Sequence, residues 1–118
     1  MPETVATAIR IGNPLSAHLA KDAARESGGE FNSVTDEEIL SAQYYLSSKG
    51  GIFAEPASCA PLAGILRLKR QGRLPKGIKI VMVLTGNGLK DPDTAMSQVG
   101  RPIEIGDSLD ELMEVMKG

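Results

Sequence analysis

Three short segments combine small residues with a polar side chain able to meet a ligand: Gly12-Asn13, Glu55-Pro56-Ala57-Ser58 and Thr85-Gly86-Asn87-Gly88. Glycine lets a backbone come close to a flat group. A Ser or Thr hydroxyl donates or accepts, an Asn amide does both, and an ionised Glu accepts only. Together they suit the recognition of a small planar ligand by backbone and hydroxyl groups. Each also reads as a plain turn: Thr85 as a turn cap through its hydroxyl, Asn13 as a local turn residue, Glu55 as a paired structural carboxylate and Ser58 as a helix N-cap. Arg10 could counter a phosphate, or serve as a salt-bridged structural arginine. Lys90 and Asp91 read as a local ion pair ordering the turn before them, Cys59 as a small packing residue and His18 as a helix-surface histidine.

Familiar catalytic patterns are missing. No glycine-rich segment has phosphate-loop or dinucleotide spacing: Gly86-Asn87-Gly88 lacks the third glycine and does not open an obvious helix. No lysine sits in an apolar context that would lower its pKa. The single cysteine excludes an internal disulfide and a cysteine-rich metal site, and fits a reduced, cytoplasmic setting. The single histidine excludes a histidine-rich metal cluster. A net charge of -2 with no block of like charges argues against nucleic acid or an anionic membrane as partner. No run approaches the roughly 20 apolar residues of a membrane span, and the start lacks the layout of a signal peptide. The chain opens almost directly into the apolar run Val5–Ile11, from which a missing upstream part is expected.

The elements that must position these segments follow from periodicity and punctuation. Ala6–Gly12, Glu30–Val34, Gly51–Ala54 and Ile78–Leu84 read as short strands, the last being β-branched and nearly continuous. Helices fall between them. One runs through Leu15, Leu19 and Ala23 to Gly28-Gly29. The next is opened by the capping box Thr35-Asp36-Glu37-Glu38 and runs through Ile39, Ala42 and Leu46. A third runs through Leu62, Ile65, Leu66 and Leu68 to a basic, exposed end at Arg67, Lys69, Arg70 and Arg73. Residues from about Asp91 to Gly106 read as loop. Ser108-Leu109-Asp110-Glu111 opens a last helix whose stripe Leu109, Leu112, Met113 and Met116 is core or a docking face. The alternation predicts an α/β layer with a mostly parallel sheet flanked by helices, in one domain over 1–118, with 94–118 a tail bearing the terminal helix. In such sheets ligands sit at the carboxyl ends of strands, where all three segments fall.

The same segments carry a resemblance. Thr4–Pro14 (TVATAIRIGNP), Gly51–Ser58 (GIFAEPAS) and Leu84–Pro92 (LTGNGLKDP) resemble threonine synthases in order and spacing, as do Glu26–Gly29 and Thr35–Ile39 between them. The likeness spans about Pro2 to Asp93. Asn87 stands where that family often has His, and Cys59 where it often has Ala. The resemblance implies a tryptophan-synthase-β-like, pyridoxal-phosphate (PLP) dependent fold, of which this chain would be the carboxy-terminal portion. The cofactor-anchoring lysine, the glycine-rich phosphate loop and most substrate-phosphate contacts would lie upstream, so Lys90 is not that lysine and no catalytic residue is assigned here.

It also implies the cofactor-binding residues Thr85, Gly12, Asn13, Glu55 and Ser58, with Thr85 donating to the pyridine nitrogen. The implied substrate is O-phospho-L-homoserine, converted with water to L-threonine and phosphate by a cytoplasmic homo-oligomer that uses neither nucleic acid nor membrane. The chain alone would be inactive, with at most weak PLP binding. A threonine or serine dehydratase of the same fold and a free-standing ligand-binding domain are the alternatives.

Overall fold

A computed structural model describes residues 3–117; residues 1, 2 and 118, the ends of the expected 1–118 domain, lie outside it. Five helices make up the regular structure: α1 (Ala17–Ser27), α2 (Asp36–Gly50), α3 (Pro56–Arg70), α4 (Pro92–Gln98) and α5 (Leu109–Lys117). Short 3-10 turns lie at Thr7–Ile9 and Gly88–Lys90.

The core is the seam between α2 and α3. Ile39, Ala42 and Leu46 recur at helical spacing on α2 and bury against Cys59, Leu62 and Ala63 of α3, joined by Ala6 and Ala54. Local chemistry fixes the ends of α2. Glu38 N–H donates to Thr35 Oγ1 at 3.2 Å, and Thr35 N–H returns to Glu38 Oε2 at 3.0 Å, a reciprocal capping box. At the other end Gly51 takes φ 66°, a left-handed position that glycine adopts without steric cost. Asp36 anchors the amino-terminal segment, accepting from Thr4 Oγ1 at 2.5 Å and from Val5 N–H at 3.1 Å.

Glu38 does more than cap. It accepts from Arg67 Nε at 2.9 Å and from Arg70 at 3.0 Å, and a second Arg67 nitrogen reaches its other oxygen. Arg67 also donates to the Ser33 carbonyl, so it is a half-buried clamp between α2 and α3 rather than part of an exposed basic end. The Arg67 guanidinium and the Thr35 amide hold the Glu38 carboxyl at about 2, below its ordinary 4.5. A depressed carboxylate contributes stability above its unfolded pKa and loses it as pH falls through the folded one. The stability gap between the wild type and Glu38→Gln should therefore be full at pH 5 and close by about pH 2, read from urea midpoints. A gap unchanged across that window would rule out the ion pair as its source.

The expected parallel sheet is not formed. Among the described residues there is no strand, and the one pairing is an isolated antiparallel bridge, Ala54 to Asn87. Ala6–Gly12 instead holds a 3-10 turn, and Glu30–Val34 and Ile78–Leu84 are irregular. A helix closes its hydrogen bonds within itself, whereas a strand needs a neighbour in register. Ile78–Leu84 has none here, and Val81 is 90% exposed. The surface is correspondingly large: 9290 Å², against about 6,200 Å² for a compact protein of this mass.

Two further expectations are corrected. Residues 91–106 are not all loop, because Asp91 Oδ1 accepts from Thr94 N–H at 3.2 Å and caps α4, with Pro92 in the first turn. No Lys90–Asp91 ion pair forms among the described residues. The stripe on α5 is exposed throughout and contributes nothing to the core.

Candidate functional site

Two of the three segments converge. The residues around Ala54 and Asn87 are clamped by backbone bonds: Glu55 N–H donates to Gly86 O at 3.1 Å and Gly88 N–H to Phe53 O at 3.0 Å. At both glycines a side chain from the facing segment fills the space where a Cβ would be. A Cβ on Gly86 would stand 2.0 Å from Glu55 Oε1, and one on Gly88 would stand 2.5 Å from the Phe53 ring.

Ser58 lies at the centre. It is the third residue of α3, with Pro56 in the first turn and no side-chain cap at Glu55. It is therefore not an N-cap. The Gly86 amide donates to its Oγ at 2.6 Å, Thr85 Oγ1 lies 3.0 Å away and Glu55 Oε1 lies 3.5 Å away. Ser58 and Glu55 are buried while Thr85 is an exposed residue, so the Thr85 hydroxyl stands at the edge of the cluster, 3.0 Å from the buried Ser58 hydroxyl. Such a group can donate to or accept from a ligand atom at the surface.

The floor of this cluster contains a residue that the sequence reading passed over. Gln43 on α2 is 2% exposed, and its Nε2 donates to Ala54 O at 2.8 Å. Gln98 of α4 in turn donates to Gln43 Oε1 at 2.5 Å. Gln43 thus ties the residue before Glu55 to two helices. The available signal was its place beside Ile39, Ala42 and Leu46 on the buried face of α2.

The third segment stays apart. Gly12 and Asn13 are exposed and share no hydrogen bond with the cluster among the described residues. Arg10 donates to Thr4 O at 2.6 Å and pairs with Glu3 at 3.7 Å, a structural role. Cys59, buried behind the cluster, has its thiol pushed up to about 11 by burial and by the Glu55 charge, which keeps it protonated and inert. His18 and every described lysine are exposed. The described residues contain no group of acidic, His and Cys side chains able to hold a metal ion, and no helix among them is long and apolar enough to cross a membrane.

The cluster places the Thr85 hydroxyl on a tight glycine turn, and among the described residues no lysine shares a hydrogen bond with it. The family model described as pyridoxal-phosphate dependent enzyme matches residues 1–86, and the chain belongs to that family. Among curated proteins it is 59% identical over 98 residues to the threonine synthase of Halalkalibacterium halodurans, covering 83% of this chain and 28% of that protein. It is 48% identical over 116 residues to the threonine synthase of Methanocaldococcus jannaschii, covering 98% of this chain and 29% of the relative. With the threonine synthase of Bacillus sp. (strain ULM1) it shares 48% identity, over 99% of this chain and 34% of the relative. The chain therefore spans about a third or less of the length of these relatives.

Proposed function

We propose that this chain works as the carboxy-terminal portion of a threonine synthase, converting O-phospho-L-homoserine and water to L-threonine and phosphate, and forms the wall against the edge of the PLP ring. The observation that carries the reading is the Thr85 hydroxyl on an exposed residue beside Gly86, in a chain 48–59% identical to proteins of that name.

The residues present fit PLP at the ring edge. Thr85 offers a neutral donor to the pyridine nitrogen, whereas a carboxylate there would hold that nitrogen protonated. PLP, when bound, supplies the electron sink for removing a proton next to the amine. A neutral ring nitrogen moderates that sink and so biases which carbon–hydrogen bonds are weakened. The tight turn at Gly86 and Gly88 lets the backbone carry Thr85 up to the ring. Glu55, Gly12 and Asn13 are proposed as the rest of this wall, with Gly12 and Asn13 brought alongside when the remainder of the enzyme is in place. In that enzyme the runs 6–12, 51–54 and 78–84 gain neighbours and become strands of a mostly parallel sheet, covering the exposed apolar side chains of Ile78–Leu84. A cytoplasmic homo-oligomer is part of the same proposal.

The test is a chimera in which this chain replaces the matching segment of the Halalkalibacterium halodurans relative. It should release inorganic phosphate and L-threonine from O-phospho-L-homoserine. A folded, PLP-loaded chimera that released no phosphate, or that deaminated L-threonine instead, would overturn the assignment.

A further inference from the structure

The Ser58 hydroxyl has one proton and two acceptor lone pairs. The Gly86 amide at 2.6 Å occupies one lone pair. One proton and one lone pair remain, with Thr85 Oγ1 at 3.0 Å and Glu55 Oε1 at 3.5 Å to share them. Two arrangements satisfy this count. In the first, Ser58 donates to Glu55 and Thr85 donates to Ser58, which uses the only Thr85 proton inside the protein. In the second, Ser58 donates to Thr85, and the Thr85 proton is free to point outward.

A carboxylate is the stronger acceptor, but at 3.5 Å the Glu55 arm is too long to hold the Ser58 proton firmly. Hydroxyl hydrogen bonds cluster near about 2.7–2.8 Å and weaken well before 3.5 Å. The 3.0 Å contact with Thr85, in which either oxygen can donate, is the shorter of the two. Ser58 is itself 1% exposed and touches nothing outside the protein, so any influence on a ligand passes through Thr85.

We infer that Ser58 is a positioning residue: held by the Gly86 amide, it donates to Thr85 Oγ1 and so directs the Thr85 proton outward, toward the ring nitrogen of the cofactor. The inference rests on the reading of this chain as the ring wall of a PLP enzyme. It assigns Ser58 a task beyond filling the turn, since a purely structural Ser58 would hold Gly86 and leave the Thr85 proton unconstrained.

The experiment is a double-mutant cycle in the PLP-loaded holoenzyme containing this chain, with Ser58→Ala, Thr85→Val and the pair. PLP affinity is measured by calorimetry, and the pH dependence of the cofactor absorbance reports the ring nitrogen. Ser58→Ala should weaken PLP about threefold to tenfold, the range of one neutral hydrogen bond, and move the absorbance profile toward that of Thr85→Val. In the Thr85→Val background it should change neither readout. Ser58→Thr, which keeps the hydroxyl, should restore the wild-type profile. Should Ser58→Ala fail to fold, Ser58→Cys provides a weak donor of similar size and should shift the profile the same way. Equal effects of the Ser58 substitution in both backgrounds would overturn the inference and leave Ser58 a holder of Gly86. If Thr85→Val itself changed neither affinity nor profile, the ring-wall reading would fail instead.

Discussion

Gly86→Ala should lower the stability of the 53–58 and 85–88 clamp by about 3 kcal/mol and abolish PLP retention in the holoenzyme. The cause is a collision, since the new Cβ would stand 2.0 Å from Glu55 Oε1 and 2.3 Å from Glu55 Cδ. Glu55 is buried, so its carboxylate cannot swing away without opening the turn. Opening it breaks two bonds at once, from Glu55 N–H to Gly86 O and from Gly86 N–H to Ser58 Oγ. Each is worth about 1 kcal/mol net, and overpacking a filled site adds about 1–3 kcal/mol. A cycle with Glu55→Ala isolates the mechanism. With the carboxylate gone, Gly86→Ala should cost less than about 1 kcal/mol by urea midpoint. An equal cost in both backgrounds would show that the Glu55 carboxylate is not what the new Cβ collides with.

What the sequence revealed of this fold divides along the range of the interactions. The first three helices were legible because their signals are local. Thr35 with Glu38 marks the start of α2, and Gly28 and Gly51 mark helix ends at φ 67° and 66°. α4 escaped notice although Asp91-Pro92 is a cap followed by an N-terminal proline, because its seven residues carry no clear apolar period. The strands failed for a different reason. Ile78–Leu84 has the composition of a buried strand, but composition cannot provide a partner, and among the described residues its backbone finds no ladder. The family match over residues 1–86 supports the fold family, while the described residues themselves form no sheet.

The cluster was legible residue by residue but not as a network. Glu55, Ser58 and Thr85 stood out for their residue types at turn positions, and the structure brings Thr85 and Glu55 to 3.0 and 3.5 Å from the Ser58 hydroxyl. Separations of 27 and 28 residues join Ser58 to Thr85 and to Gly86, and no spacing rule encodes contacts that far apart. Arg67 illustrates the same limit. Its position among Lys69, Arg70 and Arg73 suggests a solvated helix end, yet it reaches back 29 residues to Glu38.

Gln43→Leu should cost about 3 kcal/mol, although leucine matches the volume and suits the apolar seam. Gln43 Nε2 is the amide donor to the Ala54 carbonyl, which is buried beneath the cluster. Removing that donor leaves a buried carbonyl without a strong partner, since the Cys59 thiol at 3.9 Å is a poor substitute. It also strips the Gln98 amide of its acceptor. The orphaned Ala54 carbonyl at about 1–3 kcal/mol, with the lost Gln98 bond at about 1 kcal/mol, outweighs the gain from an apolar side chain. Gln98→Ala, at a half-buried site that loses only one bond, should cost about 1 kcal/mol, so the ratio of the two midpoints shifts identifies Gln43 as the hub. The damage should also travel. Ala54 directly precedes Glu55, so a loosened Ala54 carbonyl should speed hydrogen exchange at the Glu55 and Gly86 amides more than at α2 amides beyond Gln43. If Gln43→Leu moved the midpoint by less than about 0.5 kcal/mol and left those amides protected, the Glu55–Gly86 clamp would be rigid without its floor.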